Sequence, residues 1–205
     1  MKKSLFWWII LLIILSTYTP KFSYIPHFKL NIKEILIENN TILNSKEIKK
    51  KLTFLYEDNL FFFNTKNIEV ALQNISFIES YSLKKIYPNK LKIKIIEKQP
   101  VAILQRKKEK YYISDKGEII EFRNIYIYRE LPTVFGEGKE FFSLFKNLEK
   151  IKFRYEDIKS FYYFESGRWD LILNDDKVIK LPTNNYLESL KNFIETKNNI
   201  NFANF

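Results

Sequence analysis

Leu5 to Leu15 is an uncharged run containing Trp7, Trp8 and Ile9, preceded by Met1-Lys2-Lys3 and continued by Ser16-Thr17-Tyr18-Thr19 to Pro20. So apolar a segment is out of place on a water-soluble surface, and it divides the chain into a greasy head and a body of roughly 180 residues. No Ala-x-Ala pattern stands near its end, so the run predicts an uncleaved anchor rather than a removable leader. Fifteen helical residues at about 1.5 Å each reach only about 22 Å, against a hydrocarbon core of about 30 Å. The span is therefore expected to continue through Phe22, Tyr24 and Ile25, with Lys21 snorkelling to the headgroups and Pro20 and Pro26 marking the exit. This assigns 1–4 to a short cytoplasmic tail and 5–25 to a transmembrane anchor with Leu5, Trp7, Trp8, Ile9, Leu15 and Tyr18 in the bilayer. The two lysines hold the amino terminus in the cytoplasm, which places the body on the outer face in a single-pass type II topology.

Beyond the exit, hydrophobic periodicity orders the elements. Phe28 to Ile37 reads as a strand in which Leu30, Ile32, Ile35 and Ile37 are apolar, with a phase shift between Ile32 and Ile35 that predicts a bulge or irregularity. Asn39-Asn40 supplies a turn, and Asn44 with Glu47 three residues on resembles a capping box opening a helix faced by Ile48, Leu52 and Leu55. A second helix runs from near Thr65 to about Asn74 on Ile68, Ala71, Leu72 and Ile75. Two strands follow, Ile78 to Ile86 and Lys90 to Glu97, joined at Tyr87-Pro88-Asn89; in the second, Leu91, Ile93 and Ile95 alternate with Lys90, Lys92 and Lys94. Strand, helix, helix, strand, strand describes an α+β module with both helices on one side of a three-stranded sheet. Phe61-Phe62-Phe63, between the helices, is expected to be buried, the alternative being an exposed wedge that touches the membrane.

Gln99-Pro100 interrupts the pattern and sets a boundary between 28–97 and 100–205. Strands are predicted at Val101 to Gln105, Tyr111 to Ser114, Glu118 to Phe122, Lys159 to Phe164, Arg168 to Leu173 and Lys177 to Leu181. Phe141, Leu144, Phe145, Leu148 and Ile151 mark one helix, and Leu187, Leu190 and Ile194 a last one, capped near Thr183 to Asn185.

Composition excludes several chemistries. The chain has no cysteine and one histidine, His27, at the predicted membrane exit, so disulfides, thiolate catalysis and most histidine-based metal and acid–base chemistry are removed. Glu165, Asp170, Asp175 and Asp176 are close in sequence, but acids at turns are common, and no catalytic or metal-binding residue is assigned. The net charge of +10 would suit a membrane-tethered nucleic-acid binder. Yet only five of the 34 basic residues are arginine, and the lysines are dispersed among residues with A/T-rich codons. A genome-wide nucleotide bias accounts for much of that lysine excess without a polyanion partner, and is the favoured reading.

The ordered set of stretches resembles the FtsQ/DivIB cell-division family. Phe28 to Ile37 with Asn39-Asn40 is similar to the family's opening strand and turn. Ile86-Tyr87-Pro88-Asn89-Lys90-Leu91 with Ile93, Ile95, Glu97, Lys98, Pro100, Val101 and Ala102 looks like its module junction. Tyr112 to Gly117, Leu131-Pro132, Arg168-Trp169-Asp170-Leu171 and Val178-Ile179-Lys180-Leu181 match in kind and order. The resemblance implies a POTRA-type β-α-α-β-β module over 28–97 and a mainly antiparallel curved β domain with flanking helices over 100–205. It further implies residence at the division septum of a bacterial inner membrane, with the small bitopic proteins FtsL and FtsB as partners and no cofactor, nucleic acid or small-molecule substrate. Compared with the family, the cytoplasmic tail is short, and the chain stops at Asn201-Phe202-Ala203-Asn204-Phe205 where an Asp-Leu-Arg-like strand is expected. The family's main binding element is therefore expected to be incomplete here.

A non-catalytic scaffold of this kind would capture partners at free strand edges. The residues expected to face partners are Trp169, Leu171, Lys180, Tyr186, Leu190, Phe193, Phe202 and Phe205 in the second domain, and Tyr81 and Lys84 in the first. For Trp169 core packing is the favoured alternative, and for Lys84 with Lys85 a solvated face is favoured over a partner patch. A transport or chaperone module of the POTRA type is a further reading, although the usual repeats and membrane-barrel strands do not occur in this sequence.

Overall fold

A computed structural model describes residues 2–17 and 30–199. The first helix, α1 (Lys2–Thr17), carries the apolar run with Phe6, Trp7, Trp8 and Leu15 exposed. Two sheets follow. The smaller has the order β1-β3-β2, built from β1 (Glu34–Glu38), β2 (Ile78–Ile86) and β3 (Lys90–Glu97). β1 runs parallel and β2 antiparallel to the central β3. Leu91, Ile93 and Ile95 of β3 are fully buried under α2 (Ser45–Lys51) and α3 (Thr65–Gln73), whose Ile48, Ile68 and Leu72 close the same core. The lysines between them are solvated, as period two requires.

The predicted strand from Phe28 is shorter than expected; Phe28 itself lies outside the described residues. Ile32 and Ile35 are both buried although three residues apart, which one continuous strand cannot arrange, so the backbone changes partner between them. Asn31 bridges Asn59 and the Ile32 N–H donates to the Asp58 carbonyl, whereas Lys33 N–H turns to the Asn89 carbonyl before β1 begins. The Asn44 side chain caps α2 through the Lys46 N–H at 2.9 Å, but Glu47 is engaged elsewhere, as described below.

The larger sheet is mixed, with the order β10-β9-β8-β7-β4-β5-β6. Its strands are β4 (Pro100–Arg106), β5 (Glu109–Ser114), β6 (Ile119–Glu121), β7 (Thr133–Phe135), β8 (Ile158–Tyr163), β9 (Trp169–Leu173) and β10 (Val178–Lys180). Four of its six pairings are antiparallel; the two made by β7, with β4 and β8, are parallel. β7 is too short to carry a period in the sequence, and it wedges between two otherwise antiparallel groups. Leu104, Val134, Phe161, Leu171 and Ile179 are register partners across five strands, and this row faces α4 (Gly138–Lys150), whose Phe141, Leu144, Phe145 and Leu148 lie at helical spacing. Leu190 of α5 (Tyr186–Asn199) completes that core.

The neighbouring residues on β4 and β5 point the other way. Ile103, Tyr112 and Ile120 are register partners and are buried in the core of the first module, together with Tyr128. Tyr112 packs edge-on against Phe77, and its hydroxyl donates to the Arg123 carbonyl. Around this shared core Arg123 donates to both oxygens of Glu47, at 3.0 and 2.9 Å. These bonds hold the Glu47 carboxyl below the usual range against the small opposing cost of burial. Lys98 lies 3.3 Å from Glu118, and Lys116 pairs with Glu79. The turn that presents Lys116 needs Gly117: its φ is +80°, and a Cβ there would meet the Phe142 ring.

Glu97 closes β3 and is 6% exposed. Its carboxylate accepts the Thr41 hydroxyl at 2.6 Å and the N–H groups of Thr41, Ile42 and Leu43 at 3.1, 2.9 and 2.8 Å. Burial pushes this acid up, but the Thr41 hydroxyl and the backbone donors of Leu43, Ile42 and Thr41 outweigh it and leave the pKa below its ordinary value. A carboxyl depressed in the folded state stabilises above its unfolded pKa, about 4.3, and loses that contribution as pH falls through the folded value.

Two outcomes are expected. Glu97→Gln should lose about 1–3 kcal/mol at pH 7, and its deficit against the wild type should shrink in melts taken below about pH 4; a deficit constant from pH 7 to 3 would refute the charge-based account. Tyr112→Ala should cost about 3–5 kcal/mol and split one calorimetric transition into two, whereas Tyr112→Phe keeps a single transition. A single cooperative melt for Tyr112→Ala would mean the shared core does not join the modules.

Candidate functional site

β10 is the last strand in its sheet, and its register with β9 fixes which of its backbone groups are used. The Leu173 N–H donates to the Lys177 carbonyl and the Leu181 N–H to the Trp169 carbonyl, at 2.9 and 2.8 Å. Hydrogen-bonded pairs alternate along an antiparallel ladder, so Ile179 opposite Leu171 is also turned inward. Val178 and Lys180 belong to the alternate set, and their N–H and C=O groups point away from β9. Among the described residues nothing pairs with that outer edge.

The surroundings of the edge are ordered. Asp175 and Asp176 form the preceding turn, with Asp176 at φ 62° and held by Lys159 at 2.8 Å. Asp170, opposite Lys180 in register, is buried, with Arg168 Nε 3.0 Å from its Oδ1 and Arg168 Nη2 donating to its Oδ2 at 3.3 Å. The Nε contact is an ion pair without hydrogen-bond alignment. α5 lies against the same domain: Asn147 donates to the Tyr186 hydroxyl at 2.6 Å, and half-buried Phe193 and Ile194 line a cleft of about 310 Å³ with Phe153 and Leu173. Among the described residues no cluster of three or more His, Cys, Asp or Glu is placed to hold a metal ion.

Comparison with known proteins decides the family. Residues 30–98 match the POTRA domain, FtsQ-type, and residues 102–203 match the cell division protein FtsQ/DivIB, C-terminal. The chain belongs to the FtsQ/DivIB family. It is 28% identical over 172 residues to cell division protein FtsQ of Rickettsia bellii, covering 83% of this chain and 64% of that one. It is 25% identical over 172 residues to cell division protein DivIB of Clostridium tetani, covering 83% of this chain and 59% of that one. The chain thus spans less than two thirds of the length of these relatives. The extracytoplasmic domain of DivIB from Geobacillus stearothermophilus superposes with a TM-score of 0.36 at 11% identity, covering 48% of this chain and 89% of that one, too loosely to bear on the fold.

Several residues expected to face partners of this FtsQ/DivIB chain lie elsewhere. Trp169, Leu171 and Leu190 are in the core: Trp169 opens β9 on the α4 side, 4.8 Å from the Tyr163 ring, and Leu171 belongs to the central row. Alternation forces this, because a partner-facing Leu171 would expose Phe161 and Val134 with it. Lys180 and Lys84 are exposed, and Tyr81, Tyr186 and Phe193 half-buried. Tyr18, His27, Phe202 and Phe205 lie outside the described residues, and Leu5 lies within α1. The aromatic triplet also departs from expectation: Phe63 packs on the core, but Phe61 and Phe62 are exposed, because Leu60 and Phe63 take the two inward positions of a tight turn. Val178, which shares the outer edge with Lys180, is not among the residues expected to face partners. Its signal was present in the parity of the Asn174-Asp175-Asp176 turn, which sets the β9–β10 register.

Proposed function

We propose that this FtsQ/DivIB chain is a non-catalytic, single-pass membrane scaffold of the bacterial division machinery that captures partner segments by strand addition at β10. The observation that carries this reading is the outer edge of β10, where the backbone of Val178 and Lys180 offers donors and acceptors that are unpaired among the described residues. An incoming strand would gain its affinity from that ladder and its selectivity from the side chains beside it. The small bitopic FtsL- and FtsB-like proteins are the partners that the family resemblance favours.

The tether in this reading is α1 continued to residue 25, with the body beyond the membrane and at the septum. Supporting it are the exposed apolar side chains of α1, which need a non-aqueous environment. α1 has 16 described residues, and among the described residues no helix is long and apolar enough to cross a membrane. The remaining length would come from 18–25, which lie outside the described residues.

Proline at 178 and 180 removes the outward donors while sparing the inward bonds of 177, 179 and 181, as edge strands tolerate. Val178→Pro/Lys180→Pro is therefore expected to melt within about 5 °C of wild type yet recover at least about tenfold less FtsL- and FtsB-like protein from detergent-solubilised membranes. Unchanged recovery with a folded variant would sink the strand-addition reading. Separately, protease added to intact spheroplasts should digest the body; protection equal to that of a cytoplasmic marker would place it inside and end the scaffold reading.

A further inference from the structure

We infer that Phe61, Phe62 and Tyr87 form an aromatic tip that inserts into the lipid headgroup region of the membrane to which the chain is tethered. This rests on the anchor reading above. Phe62 is 87% exposed, Tyr87 57% and Phe61 46%, values unusual for large aromatic side chains in an ordered turn.

The tip is built rather than frayed. Phe61 and Tyr87 pack with ring centroids 5.1 Å apart, and Phe61 and Phe62 at 6.2 Å. The Phe61 N–H donates to Asn59 Oδ1 at 2.9 Å and the Phe62 N–H to the Asn59 carbonyl at 3.0 Å. Lys85 crosses beneath: its Nζ donates to the Phe61 carbonyl at 2.9 Å and lies 4.9 Å from the Phe63 ring centroid.

Its place in the chain says what covers it. The Leu60 N–H donates to the Leu30 carbonyl at 2.8 Å, and the Asn89 carbonyl accepts the Lys33 N–H at 2.8 Å. Both turns of the tip are thus bonded to the first described residues after the anchor. If the span ends at residue 25, the five Cα–Cα steps to Leu30 can separate it from the bilayer by no more than about 18 Å, at about 3.5 Å each. A body held so close presents this end to the headgroups. Aromatic rings with a polar edge or a neighbouring ammonium are the side chains that settle there, and Lys33, whose N–H is bonded to the Asn89 carbonyl, is exposed. Glu34 is paired with Lys90 at 2.7 Å, while Glu57 and Asp58 precede the turn, so ring burial rather than charge supplies most of the attraction. The tip would fix the tilt of the first module on the membrane.

The chain has no cysteine, so single-cysteine probes report one site each. Phe62→Cys, Leu15→Cys and Lys177→Cys full-length chains, labelled with an environment-sensitive fluorophore, would be reconstituted in phosphatidylethanolamine–phosphatidylglycerol vesicles containing headgroup-proximal spin-labelled lipid. The expected result is blue-shifted emission at 62 with quenching at least about twofold stronger than at 177, alongside a deeply buried probe at 15. A probe at 62 as wet as that at 177, with 15 buried, overturns the tip and leaves the anchor standing. Wet probes at both 15 and 62 overturn the tip and the anchor together. A probe at 62 that dries only in native membranes carrying division proteins assigns the patch to a protein partner and refutes lipid insertion.

Discussion

The body of this protein depends on one property of a β-strand, that successive side chains leave on opposite faces. On β4 Ile103 enters the core of the first module and Leu104 the core under α4; on β5 Tyr112 and Ile113 divide in the same way. Two short strands are therefore lined with apolar groups on both sides, which an antiparallel sheet with one wet face does not require. A linker hinge would have left Tyr112 and Ile103 facing water. Their burial makes reorientation of the modules cost what core exposure costs, several kcal/mol on the usual scale of aromatic burial.

Electrostatics at the junction works within that frame rather than creating it. Arg123 and Glu47 are each more than a third exposed or nearly so, and a pair so screened adds little by itself. Its value is directional, since a bidentate guanidinium contact admits one relative orientation. Glu97 is different. It is buried and saturated by donors from the Thr41–Leu43 loop, so its loss would leave three backbone N–H groups without an acceptor next to the Gln99-Pro100 crossover.

The sequence made some of this legible and hid the rest for identifiable reasons. Leu91, Ile93 and Ile95 announced a half-wet strand, and Phe141 to Leu148 a one-sided helix, because each pattern lies within one element. Tyr87-Pro88-Asn89 marks the strand boundaries at Ile86 and Lys90, and both predicted strands, Ile78 to Ile86 and Lys90 to Glu97, hold in the structure. β7 left no trace, since three residues cannot display a period. Glu47 looked like a local cap, but its partner lies 76 residues away. Trp169, Leu171 and Leu190 looked like interface anchors, and no local pattern says which apolar residues the tertiary core will claim. Phe62 is the converse case: a phenylalanine run reads as buried until the turn geometry shows only two inward places.

A stiff junction gives the outer edge of β10, unpaired among the described residues, a defined position. β4, β5 and β6 supply the surface packed on the first module, and β10 stands four strands beyond β4 in the order β10-β9-β8-β7-β4. At about 4.8 Å per strand the outer edge is displaced roughly 19 Å sideways from the junction. In the proposed strand-addition reading, a swivelling junction would average that offset over directions and leave a membrane-tethered partner to find the edge by search. With Ile103 and Tyr112 locked into the first core, the offset is carried rigidly, so whatever fixes the first module against its surroundings also fixes the height and heading of β10. Geometry set by packing at the junction thus governs the accessibility of backbone groups that never touch it.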